Sequence, residues 1–276
     1  MPVYVNNSGT WTLSKEVYVN DGGTWKEPQE VYINDGGTWK LVHKVIYITS
    51  NTSNLNLYSY VGSPSTSLRL KAVVNSGVTI SASNSSTPAF TIGSFPTGSE
   101  ILVINNGLIT GAGGAGGAGA NYGGSAAAGN TGGTALSTAV AITVQNNGQI
   151  YGGGGGGGGG GYTDVGLGSG KSYRVYSVAG SGGGGGAGIT AGTGGAGGGG
   201  ASYNGGTGAG GTSTAGGGGG IADYSPAGGS GGSIGNNGAA GTGGTNVGAA
   251  GSAGFYIVGN SLVTWETLGT VAGRVG

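Results

Sequence analysis

The sequence predicts an all-β N-terminal part, made of three hairpin repeats and a β-rich module, followed by a sandwich of polyglycine II helices, with essentially no α-helix. Three observations carry that prediction. The first 44 residues repeat with a period of 14. Residues 45–106 alternate apolar and polar side chains between turn signals. Glycine is segregated: of 75 glycines, 9 lie in 1–106 and 66 in 107–276, so a boundary falls near Asn106–Gly107.

The repeats VYVNNSGTWTLSKE (3–16), VYVNDGGTWKEPQE (17–30) and VYINDGGTWKLVHK (31–44) align without gaps. Each reads as a hairpin. Val-Tyr-Val alternates as one strand, Asn-Asp-Gly-Gly tolerates positive φ in a tight turn, and Thr-Trp-Lys begins the return strand. Tyr4, Tyr18 and Tyr32 are equivalent, as are Trp11, Trp25 and Trp39. One small hairpin is marginal in water, so the aromatics need a surface. They either build one small β core or seat one unit on each subunit of a homotrimer, letting a monomer cap a trimeric rod. Sugar binding by the Trp rings ranks lower, because few polar partners accompany them.

In the middle module the predicted strands are 45–49, 55–61, 67–74, 78–83, 89–93 and 100–105. Beyond it, glycine runs recur at 111–119, 152–161, 180–188, 192–200, 205–211, 216–220, 228–232 and 238–244, separated by short non-glycine segments. Strict Gly-X-Y with abundant proline is missing, which excludes collagen, and a flexible linker has no reason to carry such landmarks. Extended helices with three residues per turn have no internal hydrogen bonds. Their backbone groups must bond to neighbouring helices, and only glycine lets the backbones come that close. Ala-rich stretches such as 125–129 belong on the faces of the slab.

Net charge is zero and cysteine is absent. No basic footprint for nucleic acid arises, nor any disulfide or thiolate metal site. No apolar stretch is long enough to enter a membrane, and the N-terminus has no signal-peptide pattern. The chain is therefore expected to be soluble, made in a cytoplasm, and not exported by the usual route. No metal or cofactor is called for. The single histidine, His43, reads as a surface residue. The carboxylates of the glycine-rich half, Asp164, Asp223 and Glu266, show no pairing for acid–base work. The chain is not expected to be an enzyme. GLGSGKS (166–172) only resembles a phosphate loop, because Val165 stands where its first glycine should be.

The segments LVINNGLITGAGGAGGAG (102–119) and ITVQNNGQIYGGGGGGGGGG (142–161) share an apolar strand, Asn-Asn-Gly, an Ile and a glycine run. The chain closes with GFYIVGNSLVTWETLGTVAGRVG (254–276). Over about 100–276 the chain thus resembles the receptor-recognising adhesins at the distal tips of T-even-type phage tail fibres. The resemblance implies a polyglycine sandwich whose loops bind an outer-membrane protein or surface glycan of a Gram-negative host. It also implies an N-terminal domain seated on a trimeric fibre, and hence a virion component synthesised in the host cytoplasm. The three hairpins depart from that family's attachment region.

Three domains are expected: 1–44 for fibre attachment, 45–106 as a connecting module, and 107–276 for receptor binding. Tyr4, Trp11, Tyr18, Trp25, Tyr32 and Trp39 are the candidate attachment residues, with one copy expected per trimeric tail-fibre protein. Loops on a rigid frame commonly carry function, and Tyr with Ser, Gly and Asn makes an adaptable contact surface. The candidate receptor-binding residues are Tyr162, Asp164, Lys171, Tyr173, Arg174 and Tyr176, then Tyr203 with Asn204, Asp223 with Tyr224, and Tyr122. The expected partner is a bacterial surface protein or polysaccharide. An ice-binding protein and a purely structural fibre component are the alternatives.

Overall fold

The computed structural model describes residues 4–7, 9–13, 18–168 and 174–276. Three antiparallel hairpins open the chain. β1 (Tyr4–Asn7) pairs with β2 (Thr10–Leu13), β3 (Val19–Asp21) with β4 (Thr24–Lys26), and β5 (Glu30–Asp35) with β6 (Thr38–Ile48). In the second and third turns two successive glycines take left-handed φ, +59° and +85° at Gly22 and Gly23, +60° and +88° at Gly36 and Gly37. That is the twist a two-residue hairpin loop needs. The Asn20 and Asn34 side chains accept the Gly23 and Gly37 N–H groups at 2.8 and 2.9 Å.

β6 is long because its second half joins a different structure. It is the first strand of a three-sided parallel β-helix. From there the chain winds through β7 (Thr52–Ser53), β8 (Leu55–Asn56), β9 (Arg69–Val74), β10 (Thr79–Ser81) and β11 (Phe90–Thr91). It continues through β12 (Glu100–Asn105), β13 (Leu108–Thr110), β14 (Leu136–Ser137), β15 (Ile142–Asn146) and β16 (Gln149–Tyr151). An antiparallel pair then leaves the helix, β17 (Thr163–Leu167) with β18 (Arg174–Val178). β19 (Phe255–Val258), β20 (Val263–Thr267), β21 (Thr270–Ala272) and β22 (Arg274–Val275) complete it. The first face stacks β6, β9, β12, β15 and β20. The second stacks β7, β10, β13, β16 and β21, and the third β8, β11, β14, β19 and β22.

Inside, one apolar cluster runs the length of the helix. Ile48, Leu70, Ile80, Phe90, Val103, Ile109, Leu136, Val144, Ile150 and Ile257 all belong to it. The corners after β12 and β15 carry the two Asn-Asn-Gly motifs. Asn105 and Asn146 point inward with no exposure, and a buried amide must be bonded. Asn105 Nδ2 donates to Asn146 Oδ1 at 2.8 Å, and Asn146 Nδ2 donates to the Leu268 carbonyl at 2.6 Å. The compositional boundary at Asn106–Gly107 is therefore a corner within one coil, with strands of the same three faces on either side.

Two features differ from the sequence reading. Residues 55–61 do not form one strand. After β8 the chain makes a single helical turn, α1 (Leu57–Tyr60), because Asn56 Oδ1 accepts the Ser59 N–H at 3.1 Å as an N-cap and Leu57 is fully buried. The fold is otherwise β or irregular. His43 is not a surface residue. It is 7% exposed, and neither ring nitrogen has a hydrogen-bond partner among the described residues.

The glycine-rich sequence is inserted between the second and third faces. The chain leaves after β13 and returns at β14, then leaves after β16 and returns at β19. Numbered in chain order, the runs are 111–120 (run 1), 125–135 (run 2), 152–161 (run 3), 179–188 (run 4) and 191–198 (run 5). Then come 205–211 (run 6), 216–221 (run 7), 226–232 (run 8), 237–242 (run 9) and 247–254 (run 10). Runs 2 and 10 were not among the glycine runs read from sequence. Alanine, threonine and asparagine dilute run 2, and alanine, valine and serine dilute run 10.

Backbone bonds link neighbouring runs every third residue. Gly154, Gly157 and Gly160 of run 3 donate to Ala187, Gly184 and Ser181 of run 4. Gly153, Gly156 and Gly159 donate to run 2, Gly158 to run 9, and Gly155 to Asn236 just before it. Run 3 accepts from runs 1, 8 and 10, so it is surrounded by six runs. Run 4 is likewise surrounded by runs 1, 3, 5, 6, 7 and 8. The bonds arrange the runs in three layers: 2-1-5, then 10-3-4-6, then 9-8-7.

The number of neighbours dictates the composition. All ten residues of run 3 are glycine and buried. A Cβ on Gly156 would overlap the Ala115 carbonyl, and one on Gly157 the Gly229 carbonyl. Outer runs need glycine only on their inner sides. Run 1 places Ala112, Ala115 and Ala118 every third residue, and run 5 places Thr193 and Ala196 likewise. Run 10 needs only Gly248, Gly251 and Gly254.

Gly156→Ala should therefore cost about 3 kcal/mol in chemical denaturation. Gly218→Ala, where a Cβ meets nothing within 4 Å, should be neutral or stabilise by about 0.4–1 kcal/mol. At His43, burial holds the pKa below its ordinary value. Glu27 opposes that shift, while Arg69 and Lys71 reinforce it. The unfolded chain thus binds the proton more readily, and the contribution of neutral His43 is present at neutral pH and lost as pH falls below about 6.5. His43→Leu should flatten the stability profile in that window and raise stability by about 1 kcal/mol, read from denaturant midpoints at pH 7.5 and 5.

Candidate functional site

Two surfaces concentrate the candidate residues. The first lies at the end of the glycine layer remote from the β-helix. Odd-numbered runs travel outward and even-numbered runs return, so five connections meet there: 121–124, 162–178, 199–204, 222–225 and 243–246. The longest carries the β17–β18 hairpin, with Asp164 opposite Ser177 and Val165 opposite Tyr176.

Local chemistry fastens these loops to the layer. Asn121 Oδ1 accepts the Gly199 N–H at 2.7 Å, and Asn204 Oδ1 accepts the Gly200 N–H at 3.0 Å. Asn246 Nδ2 donates to the Gly124 carbonyl at 3.3 Å. Tyr162 forms an isolated bridge with Thr245, and Val178 with Tyr203. The tyrosines then meet in two groups. Tyr122 and Tyr162 stand edge to face, with ring centroids 5.2 Å apart. Tyr203 lies between Tyr176 at 5.7 Å and Tyr224 at 5.5 Å. Such pairs prefer tilted geometry and are worth about 0.5–1.5 kcal/mol beyond their burial.

The structure thus gathers Tyr122, Tyr162, Asp164, Arg174, Tyr176, Tyr203, Asn204, Asp223 and Tyr224 at one end of the molecule. Arg174, Asp223 and Tyr224 are exposed. Lys171 and Tyr173 lie outside the described residues. The side chain of Asn204 is already engaged by its own loop. Sequence reasoning missed Val175 and Ile221, which are 60% and 78% exposed. It also missed the 243–246 turn, which reads as the tail of a glycine run although Gly243, Gly244 and Asn246 all take left-handed φ there. The phosphate-loop look-alike begins on β17, which pairs with a strand where such a loop requires a helix, and its residues 169–172 lie outside those described.

The second surface is the hairpin array. Trp25 and Trp39 are each 67% exposed, Tyr18 48% and Tyr32 47%. These four aromatics build no core. Of Tyr4 and Trp11 only the backbone is described. The Tyr32 hydroxyl donates to Glu30 at 2.9 Å, and Lys44 pairs with the same carboxylate at 2.9 Å. Lys44 first, then the Tyr32 hydroxyl, hold the Glu30 pKa below its ordinary value, while that carboxylate raises the pKa of Tyr32. That hydrogen bond tethers the exposed ring of Tyr32 to Glu30. The junction with the β-helix is tied by Lys71 to Glu27 at 2.9 Å and Arg69 to Glu100 at 2.8 Å. Among the described residues no His/Cys/Asp/Glu group is arranged to hold a metal ion, and no helix is long and apolar enough to cross a membrane.

A family model described as "Phage tail fibre adhesin Gp38" matches residues 43–276. The match begins on β6, where the third hairpin enters the β-helix, and leaves the hairpins before it outside. Among solved structures, the chain is similar to one described as the crystal structure of the gp37-gp38 adhesin tip complex of the bacteriophage S16 long tail fiber. The two are 25% identical, with a TM-score of 0.51, and the match covers 86% of this chain and 84% of that one. No curated protein sequence matches significantly. Separating Asn121 from Gly199 should loosen one loop without touching the layer. Asn121→Ala should speed amide exchange at Gly199 by about tenfold, the equivalent of 1.4 kcal/mol, and leave run 3 protected.

Proposed function

The chain belongs to the phage tail fibre adhesin Gp38 family, and from that premise we propose that its two aromatic surfaces divide host recognition from fibre attachment. The family gives the general role. This is a non-enzymatic receptor-binding protein at the distal tip of a long tail fibre, a virion component that recognises the host. The ice-binding and purely structural readings give way to it.

The finer assignment rests on one observation: the loops joining the glycine runs bring their tyrosines together at the end of the layer remote from the β-helix. We infer that the layer is a polyglycine II sandwich, a reading supported by the three-residue repeat of its inter-run bonds. Its tip presents Tyr122, Tyr162, Arg174, Tyr176, Tyr203, Asp223 and Tyr224 to a bacterial surface protein or polysaccharide, with Asp164, Lys171, Tyr173 and Asn204 in the same loops. Rigid aromatic anchors on short loops give contact area at low entropy cost.

The hairpins present Tyr18, Trp25, Tyr32 and Trp39, and by the repeat Tyr4 and Trp11, to the fibre. The S16 complex pairs its gp38 with gp37, and a gp37-type trimeric fibre protein is the partner inferred here. Three equivalent hairpins suit three equivalent subunits, with one adhesin per trimer.

The test separates the two surfaces. Replacing 162–178 with a Gly-Ser loop should leave the adhesin bound to purified fibre trimer and lower the adsorption rate of the assembled phage by more than about tenfold. Trp25→Ala with Trp39→Ala should do the reverse to the complex, releasing adhesin from the trimer in size-exclusion chromatography. Unchanged adsorption after loop replacement would refute the tip assignment. A retained complex after the double Trp change would refute the hairpin assignment.

A further inference from the structure

We propose that Asp164 is a positioning residue that locks the 121–124 loop to the β17–β18 hairpin, rather than a group that touches the receptor; this rests on the reading of the tip as the receptor face. Both of its carboxylate oxygens are engaged within the protein. Oδ2 accepts from the Tyr122 hydroxyl at 3.2 Å, and Oδ1 accepts from Ser177 Oγ at 3.2 Å. The two donors belong to different loops, 42 and 13 residues away in sequence.

The consequence follows from what lies next to each donor. Tyr122 stacks edgewise on Tyr162. Ser177 neighbours Tyr176, whose ring begins the Tyr176–Tyr203–Tyr224 series. The carboxylate therefore ties the Tyr122 loop to the hairpin that carries both Tyr162 and Tyr176. Asn121 and Asn246 fasten the two ends of this loop, and Asp164 holds the side chain at its apex. Tyr122 is followed by Gly123, at φ +78° with nothing within 4 Å of a Cβ, and by Gly124. Released, such a loop samples many conformations. Asp164 is exposed too, as are Val175 and Tyr224 at 60% and 52%, so what sets it apart is that both of its oxygens are already bonded within the protein.

A lock and a contact differ in kinetics. Freeing the loop reduces the fraction of binding-competent molecules, and so the apparent association rate. Removing a contact mainly speeds dissociation. The test uses the adhesin–fibre complex on immobilised outer-membrane vesicles from a strain that the phage infects. Asp164→Ala should slow association about fivefold and leave dissociation within about twofold. Asp164→Asn should recover most of the loss, because the amide keeps one acceptor oxygen and adds a donor for a hydroxyl. Tyr122→Phe, which keeps the ring and removes only the donor, should reproduce part of the association defect even where Asp164→Ala folds poorly.

Hydrogen exchange supplies a readout that needs no receptor. Amides of Gly123 and Gly124 should exchange faster in Asp164→Ala and Tyr122→Phe than in the wild type. Unchanged exchange and association would overturn the lock. Faster dissociation, equal in Asp164→Ala and Asp164→Asn, would overturn it in favour of a direct charged contact. Faster exchange in a protein whose wild type fails to hold the vesicles would uphold the lock and sink the receptor-face reading instead.

Discussion

A backbone amide out of reach of water has to bond to another backbone, and in this protein that requirement replaces the apolar core throughout the ten glycine runs. The extended conformation with three residues per turn offers no partner within its own strand. Each run must therefore bond to neighbours, and a surrounded run can carry almost no side chain: run 4 admits only Ala179, Ser181 and Ala187, near its ends. Run 3 is the limiting case, with six neighbours and ten glycines. The peripheral runs relax the rule one side at a time, and alanine, serine and threonine appear where a neighbour is missing.

The β-helix solves a problem that the layer cannot solve for itself. Glycine loses more conformational freedom on ordering than any other residue, and bonds among equivalent runs specify no register. Runs 1 and 3 extend from β13 and β16, and runs 2 and 10 lead into β14 and β19. Those strands are fixed by an apolar interior and by the stacked Asn105 and Asn146. The core thus sets the starting phase of four runs, and the remaining six follow by period-three bonding. The two parts of contrasting composition are one hydrogen-bonded body, which is why no linker separates them.

How much of this was legible follows from how local each signal is. The hairpin turns were readable because Asn-Asp-Gly-Gly states its φ requirement in four residues. The tip tyrosines were readable because they interrupt glycine, at the places where runs must turn. The β-helix was not, since its strands are as short as two residues and successive coils of one face are separated by as much as the interval from Leu136 to Phe255. Asn-Asn-Gly was visible as a motif, but its role as a stacked corner depends on a neighbour 41 residues away. His43 was misread because its burial comes from strands distant in sequence: it stands opposite Val31 on β5 and Arg69 on β9. Val175 and Ile221 escaped notice for the converse reason: a single aliphatic residue says nothing of its exposure.

The layer also has a calorimetric consequence. The heat capacity of unfolding rises with apolar surface exposed and falls with polar surface exposed, by roughly +0.45 and −0.26 cal/K/mol per Å². The β-helix resembles an ordinary domain in this respect. The glycine layer hides mainly peptide groups, so its exposure adds little or subtracts. Its free-energy curve is accordingly shallow in temperature, without the strong curvature that brings both heat and cold unfolding close to ambient conditions. The glycine layer is thus the part of the molecule whose integrity depends least on temperature.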